Sequence, residues 1–501
     1  MSSPATRAPH HPHVRTNAGW SLQHSYARLP DIFHAAAAPT PVRVPRLVLL
    51  NRPLAKSLGL DANALEGAAG AALFSGNLLP PGAATLAQAY AGHQYGHFAI
   101  LGDGRAILLG EQIAPGGGRF DIQLKGAGPT PFSRRGDGRA ALGPMLREYA
   151  IGEAMHALGI PTTRSLAVVE TGETVWRQEG FPGAVLTRVA KSHLRVGTFQ
   201  WAAARGDEAA LRALVTYTVR RHYPDLMEAQ NPALALLEAI VERQAALIAQ
   251  WMLVGFVHGV MNTDNMAVSG ETIDYGPCAF IDTYDPATVF SSIDRDGRYA
   301  YGNQPRIAQW NLARLAETLL SLLHPEEKTA LAMATGTVEA FTASYERHWL
   351  TGMRRKLGLF TEEPADAALV ETLLGWMEHT HADYTNTFVA LTRQPGETDP
   401  FPTNDDDDGR RWREAWEARL TRQPQSADES LGLRRSHNPA FIPRNHLVEA
   451  ALLAASSRDD LEPLTRLLEV LAQPFDYTRH APEYRMPAPS GGSEYRTFCG
   501  T

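Results

Sequence analysis

The densest group of polar residues in the chain runs from His258 to Asn265 and is followed by the triplet Asp274-Tyr275-Gly276. Asn265 and Asp274 both offer hard oxygen donors, the ligand type that Mg²⁺ prefers. In one large class of phosphoryl-transfer sites, Mg²⁺ is held by an Asn that ends a catalytic loop and by an Asp that opens a DFG-like triplet. The spacing therefore predicts Asn265 and Asp274 as the protein ligands of a metal ion.

The same loop departs from the protein-kinase pattern at the proton acceptor. In kinases the base is the third residue of the octet that begins with His, and here that residue is Val260, whose side chain cannot accept a proton. Asp264, directly before the metal-ligand Asn, is the nearest replacement. A carboxylate that caps the loop is the alternative interpretation, and spacing alone leaves both open.

Lys125 ends the run Phe120 to Lys125, where period-two alternation puts the apolar side chains on one face of a strand and the polar ones on the other. A helix that carries Glu148 and Glu153 follows about twenty residues later, which is the order in which kinases place a phosphate-binding lysine and its orienting glutamate. Five residues span roughly 140° of a helix, so only one glutamate can face the lysine. We expect it to be Glu148.

Several further residues could bind phosphate groups. The segment Gly102-Asp103-Gly104-Arg105 precedes a strand, and its two glycines would let backbone N–H groups approach phosphates, although a tight hairpin turn is the alternative interpretation. Arg188 and Arg195 follow seven residues apart. With Arg105 and Lys125 they offer four cations to one anionic ligand, which suggests a polyphosphate clamp.

The elements that must position these residues fall into two groups. Strands are predicted for residues 47–50, 106–111, 120–125, 165–169, 174–177 and 184–189, with Gly-rich turns at 115–118 and 179–183. One helix, from about Pro144 to Leu158, interrupts this mostly antiparallel series, and helical periodicity dominates after Val189. The pattern predicts an α+β, bilobal chain with an N-terminal extension (1–90), an N-lobe (91–190), an α-rich C-lobe (191–480) and a flexible tail (481–501).

Composition excludes several classes of function. The 501 residues carry a formal net charge of −7 with a pI near 6.2, which gives no basic field for nucleic acid. No apolar run approaches the ~20 residues that span a bilayer, so no membrane association is expected. Two cysteines are too few for a disulfide scaffold or a cysteine zinc site, and a cytoplasmic location is expected.

Long motifs in the chain resemble the selenoprotein O (SelO, or YdiU) family of protein adenylyltransferases. They are LAQAYAGHQYGHFAILGDGRAILLGE (86–111), DIQLKGAGPTPFSRRGDGRA (121–140), REYAIGEAMHALGIPTTRSLAVV (147–169), HGVMNTDNMAVSGETIDYGPCAFID (258–282) and PRIAQWNLARLAETL (305–319). The resemblance implies a protein-kinase-like fold that holds ATP in a reversed orientation, transfers AMP to Ser, Thr or Tyr hydroxyls of proteins and releases pyrophosphate. Mg²⁺ is the implied metal, with Mn²⁺ as an alternative.

The resemblance also implies individual roles. Asp264 corresponds to the proton acceptor, and Asn265 and Asp274 correspond to the metal ligands. The implied ATP contacts are Gly102, Gly104, Arg105, Lys125, Asp137, Gly138, Arg188 and Arg195. The pair Asp137-Gly138 comes from the resemblance alone, since the residues by themselves indicate only a turn.

Two other functions stay open at this point. A kinase acting on protein or small-molecule hydroxyls would use Lys125, Asn265 and Asp274 in the same way, but Val260 argues against it. A nucleotide-binding pseudokinase without catalysis is the second alternative, and the retained metal ligands argue against that.

The two cysteines, Cys278 and Cys499, suggest a redox-sensitive link. Cys278 lies two residues after the DFG-like triplet, and Cys499 lies in the predicted flexible tail. A disulfide between them would tie the tail to the catalytic lobe and restrain the cleft. The alternative is that Cys278 is a small buried hydrophobe and Cys499 an unpaired thiol.

Overall fold

Most strands from the first 190 residues form one antiparallel sheet, which confirms the predicted mostly antiparallel lobe, and the strands Ala91–Gln94 and His97–Ile100 form a separate hairpin. The computed structural model describes residues 18–393, 407–489 and 495–497. The strands are β1 (Leu22–Gln23), β2 (His34–Ala36), β3 (Arg46–Leu50), β4 (Leu86–Gln88), β5 (Ala91–Gln94), β6 (His97–Ile100), β7 (Ala106–Ile113), β8 (Arg119–Lys125), β9 (Ala140–Ala141), β10 (Arg164–Trp176), β11 (Gly180–Ala190), β12 (Phe256–Val257) and β13 (Ala279–Phe280). The main sheet has the order β2-β4-β7-β8-β11-β10-β3, with β1 on β7 and β9 on β11. Strands β1 to β4 belong to the segment expected to be an N-terminal extension, and they pair within this sheet.

Both faces of this sheet are covered, which is why β7 and β8 are buried over most of their length. Ile107 and Leu124 point into a core shared with helices α1 (Arg52–Ser57) and α2 (Gly67–Phe74). Leu108 and Leu186 point into the opposite core, which helix α3 (Leu142–Ala157) covers. Alternation along β8 therefore directs its polar side chains to the α3 side.

Two local predictions differ from the structure. The strands expected at 165–169 and 174–177 are one strand, β10, whose pairing with β11 shifts between Glu170 and Thr174. Gly172 in this gap has a φ of +70°, so the glycine makes a bulge instead of ending the strand. The turn expected at 179–183 is shorter, because β11 already begins at Gly180.

Helices form the second lobe. They are α4 (Val196–Ala204), α5 (Glu208–His222), α6 (Pro232–Val254), α7 (Gln304–Leu323), α8 (Glu327–Lys356), α9 (Asp366–Thr380), α10 (Tyr384–Ala390), α11 (Asp407–Leu420), α12 (Ala427–His437), α13 (Asn445–Arg458) and α14 (Glu462–Leu471). Leu236, Leu312 and Phe341 belong to the extended core that joins α6, α7 and α8. None of the helices in the described ranges is both long and apolar enough to cross a membrane.

Helix α6 ends just before the segment that carries the predicted metal ligands. Asn231 caps its start by accepting from the Leu234 N–H at 3.1 Å, and Gly255, with a φ of +73°, ends it. The next residues form the short ladder β12–β13, in which Phe256 pairs with Phe280. This ladder closes the loop of residues 258–278, so both predicted metal ligands lie on one folded-back segment.

Candidate active site

A cleft of about 1260 Å³ lies between the two lobes and collects every predicted nucleotide-site and metal-site residue. The predicted residues that line it are Gly102, Gly104, Arg105, Lys125, Asp137, Gly138, Glu148, Arg188, Arg195, Asp264, Asn265 and Asp274. Val260, at the position of the kinase base, also lines it. Residues from widely separated parts of the sequence therefore share one cavity.

The lysine and the glutamate chosen from helical spacing are in direct contact. Lys125 Nζ lies 2.5 Å from Glu148 Oε2, and both side chains are buried. Glu153 instead accepts two hydrogen bonds from Arg164, at 2.6 and 2.5 Å. The two glutamates thus serve separate cations on different sides of α3.

Three cationic side chains form ion pairs with the Asp274 carboxylate. Lys125 Nζ lies 2.9 Å from its Oδ1, and Arg188 Nη1 lies 2.5 Å from the same oxygen. Arg195 Nη1 lies 2.7 Å from Oδ2. Burial alone would raise the pKa of Asp274, but the three cations hold it well below its usual range. Asp274 is therefore ionised, as a metal ligand must be.

Arg188 is held in place by a residue that sequence reasoning missed. Gln123 lies directly opposite Arg188 in the β8–β11 ladder, and its Oε1 accepts from Arg188 Nη2 at 2.7 Å. The Gln123 amide in turn donates to Asp103 Oδ2 at 2.8 Å, which fixes the orientation of the amide group. Asp103 is itself buried, and this burial raises its pKa to about 6, while Arg195 and Arg188 oppose the rise.

Arg195 is buried yet keeps unused hydrogen-bond donors. Its Nη1 also donates to the Asp264 carbonyl oxygen at 2.8 Å, and its guanidinium lies 4.7 Å from the centre of the Tyr90 ring. Its Nε and Nη2 are buried without a hydrogen-bond partner, and Nη2 lies 3.9 Å from Asp103 Oδ1. Buried donors of this kind are expected to bind an anion, because an unpaired buried guanidinium N–H is costly.

Asp264 sits in a short 3₁₀ turn, Thr263–Asn265, that packs against strand β5. A Cβ atom at Gly92 would overlap Asp264 Oδ1, so only glycine leaves room for this carboxylate. Oδ1 is buried without a hydrogen-bond partner. Burial raises the pKa of Asp264 to about 6, and Arg195 opposes the rise. A carboxylate with these properties can accept a proton near neutral pH.

The donor set at the bottom of the cleft fits a hard divalent cation. The Asn265 side-chain Nδ2 donates to the Val260 backbone carbonyl oxygen at 2.9 Å. The other end of the same amide group, the Oδ1 oxygen, therefore points away from Val260. Asp274 supplies a charged oxygen pair, and its φ of +63° marks a backbone held in an unusual conformation. Within the described ranges, no cluster of three or more His, Cys, Asp or Glu side chains is arranged to hold a metal. One carboxylate, one amide oxygen and substrate phosphates are a usual ligand set for Mg²⁺.

Two glycine turns form the outer wall of the cleft. A Cβ atom at Gly102 would lie 2.5 Å from the Phe132 ring, and one at Gly138 would overlap the backbone of Gly128. Thr130 donates to the Asp103 carbonyl oxygen at 2.6 Å, which fastens the first turn to the segment after Gly128. Both turns therefore pack on the segment of residues 128–133, and this explains why Asp137-Gly138 belongs to the cleft although its sequence indicates only a turn.

Cys278 lies behind the DFG-like triplet and is fully buried. Burial raises the pKa of its thiol to about 12. Cys499 lies outside the residues that the structure describes, so its pairing with Cys278 stays a prediction. The nearby Thr497 does contact this region, because its hydroxyl donates to the Pro277 carbonyl oxygen at 2.8 Å.

Comparison with known proteins confirms the family resemblance. The family model described as "Protein adenylyltransferase SelO" matches residues 19–472. The chain is 58% identical over 494 residues to "Protein nucleotidyltransferase YdiU" of Bacillus cytotoxicus, covering 97% of this chain and 99% of that protein. It is 60% identical over 484 residues to the protein of the same name from Brevibacillus brevis, covering 96% and 98%. The chain therefore belongs to the SelO family of protein adenylyltransferases.

Proposed function

We propose that this enzyme transfers AMP from ATP to Ser, Thr or Tyr hydroxyls of other proteins and releases pyrophosphate. The observation that carries the proposal is the convergence of Lys125, Arg188 and Arg195 on the Asp274 carboxylate, beside the unpartnered oxygen of Asp264. The protein-kinase pattern, which transfers the terminal phosphoryl group, has its base at the position that Val260 occupies here. The cation cluster instead suits a leaving group that carries away most of the negative charge.

The metal ligands would be Asn265 and Asp274, with Mg²⁺ as the proposed ion and Mn²⁺ as an alternative. Such an ion, when bound, neutralises phosphate charge and orients the reacting phosphate. Lys125, fixed by Glu148, and the two arginines would bind the phosphates and stabilise the charge that develops on pyrophosphate. These cations are already oriented by buried carboxylates, so little reorganisation accompanies the reaction.

Asp264 is the proposed proton acceptor. The substrate hydroxyl would donate to its carboxylate, and the hydroxyl oxygen would attack the α-phosphate as the proton moves to the carboxylate. The bond that breaks joins the α-phosphorus to the oxygen that bridges the α- and β-phosphates, and pyrophosphate leaves with that oxygen. The Asp264 backbone carbonyl accepts from Arg195, so the same arginine links the acceptor to the phosphate-binding cluster.

The proposed function can be tested by placing a ³²P label at different phosphates of ATP. The protein is incubated with Mg²⁺, reduced carboxymethylated α-lactalbumin as an unfolded acceptor, and ATP labelled with ³²P at the α-phosphate or, separately, at the γ-phosphate. Retention of the α-label and loss of the γ-label are expected, and mass spectrometry should locate AMP on hydroxyl side chains. The Asp264→Asn variant is the control for the proton acceptor. Covalent retention of the γ-label would show a kinase, and absence of both labels would favour a pseudokinase.

A further inference from the structure

The hairpin formed by β5 and β6 is fastened to the catalytic loop along one side only. The His93 N–H donates to Thr263 Oγ1 at 2.6 Å, and the Tyr95 N–H donates to Asn262 Oδ1 at 3.1 Å. Gly92 packs against the Asp264 carboxylate. Strand β5 is thus enclosed between the catalytic loop and β6, and the outer side of the hairpin is β6.

The register of the hairpin shows which groups of β6 point outward. Its tip is a two-residue turn in which Tyr95 and Gly96 have φ values of +51° and +86°, as a type I′ turn requires. Residues flanking such a turn form a hydrogen-bonded pair, and these pairs alternate along the ladder. The Leu101 N–H donates to the Tyr90 carbonyl oxygen at 3.0 Å, which agrees with this alternation. The backbone N–H and C=O groups of Phe98 and Ile100 therefore point away from β5.

This outer edge is open and apolar. Among the described residues, β6 pairs only with β5. Phe98 is 47% exposed and Ile100 is 57% exposed, in contrast to the buried Ala91 opposite Ile100. An exposed edge strand invites pairing with another chain, and proteins usually protect such an edge with lysine or proline. The sequence His97-Phe98-Ala99-Ile100 contains neither.

We propose that the edge of β6 docks the protein substrate, by adding an extended segment of the acceptor polypeptide as a third strand. This inference rests on the proposed function, because it identifies how the polypeptide acceptor is held. Backbone hydrogen bonds to Phe98 and Ile100 would supply affinity, and alternate apolar side chains of the segment would pack on these two residues. We expect unfolded or extended regions as the partner, since most backbone groups of a folded domain are already hydrogen-bonded within that domain.

The position of β6 supports docking over a purely structural role. The strand continues through Leu101 into Gly102, so one end of its edge leads to the glycine turn of the cleft. Its partner β5 carries the glycine against which Asp264 packs. A segment paired with β6 would thus extend along the cleft mouth, and the acceptor hydroxyl would lie in the residues that follow the paired stretch.

Two substitutions at one edge residue test the docking. Ile100→Lys adds the charge that protects natural edges, and Ile100→Pro removes an outward N–H that the β5–β6 ladder does not use. Leu331→Lys is the matched control, because Leu331 is 54% exposed and lies on α8. Ile100→Val, which keeps an apolar β-branched side chain, should behave like the unchanged protein.

Binding and transfer are measured separately. Fluorescence anisotropy with labelled reduced carboxymethylated α-lactalbumin should show at least about tenfold weaker binding for both edge variants, with ATP affinity retained within about twofold. Circular dichroism checks the fold. Unchanged binding in Ile100→Lys and Ile100→Pro, or an equal loss in Leu331→Lys, would overturn the docking proposal. Failure of the unchanged protein to transfer the α-label, with the binding difference intact, would instead count against the proposed function.

Discussion

Replacing Glu148 by Gln tests the buried charge network with one atom changed. Glu148 accepts from Lys125 at 2.5 Å and from Arg188 at 3.3 Å. Both donors stay charged in the variant but lose an anionic acceptor, and removing one charge of a buried ion pair costs about 3–5 kcal/mol when the other charge is left uncompensated. Both cations keep Asp274 as a partner. We expect the free energy of unfolding to fall by about 2 kcal/mol, with a fall of about 30-fold in kcat/KM for ATP if the same energy orients Lys125.

Glu153→Gln is the matched control on the same helix. Its carboxylate pairs with Arg164, both side chains being 17–18% exposed, and neither residue lines the cleft. We expect about 1 kcal/mol or less of destabilisation and an unchanged kcat/KM. Urea unfolding gives the stability of each variant, and release of pyrophosphate from ATP gives kcat/KM. A larger kinetic loss in Glu153→Gln, or a change of less than about threefold in Glu148→Gln, would refute the assigned roles.

Four other predictions concern the proton acceptor, the metal, the arginine support and the cysteines. Asp264→Asn should lower kcat about 100-fold or more with nearly unchanged ATP affinity, because a base acts in the transition state, whereas equal losses would make Asp264 a binding residue. Asp274→Asn should remove the effect of Mg²⁺ on ATP affinity in calorimetric titrations, and a retained effect would exclude Asp274 as a ligand. Gln123→Leu should weaken ATP binding about tenfold because a guanidinium loses its support, and unchanged affinity would show that this support is dispensable. Oxidation with diamide tests the pairing of Cys278 with Cys499: a disulfide that lowers transfer and that Cys499→Ser abolishes would support it, whereas peptide mapping that finds both thiols free, the result that the burial of Cys278 favours, would contradict it.

Local periodicity was enough to predict which side chains of the sheet and of α3 face the cleft. Alternation along residues 120–125 places Lys125 on the α3 side, and a helical turn of 3.6 residues separates Glu148 from Glu153. These positions depend on geometry within a single element. The same reasoning predicted the turn at 115–118, which does join β7 to β8, but it divided β10 into two strands at Gly172. A glycine with φ > 0 is compatible with both a turn and a bulge, so the sequence alone could not distinguish them.

Contacts between distant elements were not accessible from such patterns. The hydrogen bond from Arg188 to Gln123 depends on the register between β8 and β11. The further hydrogen bond from Gln123 to Asp103 depends on where the turn before β7 lies. The β5–β6 hairpin has a Tyr95-Gly96 turn, which lacks the Asn-Gly or Asp-Gly signal that would indicate a type I′ turn in the sequence. Its contact with Asp264 is visible only after the two lobes come together.

The pairing within the cleft constrains how the proposed reaction can begin. Arg188 and Arg195 are almost completely buried, and such cations are stable only with a compensating anion, which Asp274 provides. The two oxygens of Asp274 already accept from three cations. Oδ1 accepts from two of them and Oδ2 from one, so a metal ion that binds Asp274 adds positive charge beside all three cations, and the phosphates of ATP would compensate this charge. Nucleotide and metal ion should therefore bind with positive coupling, since the phosphates supply negative charge for the metal ion and the metal ion supplies positive charge for the phosphates. Arg195 has unused Nε and Nη2 donors, so it is placed to bind a phosphate oxygen while its Nη1 still donates to Asp274.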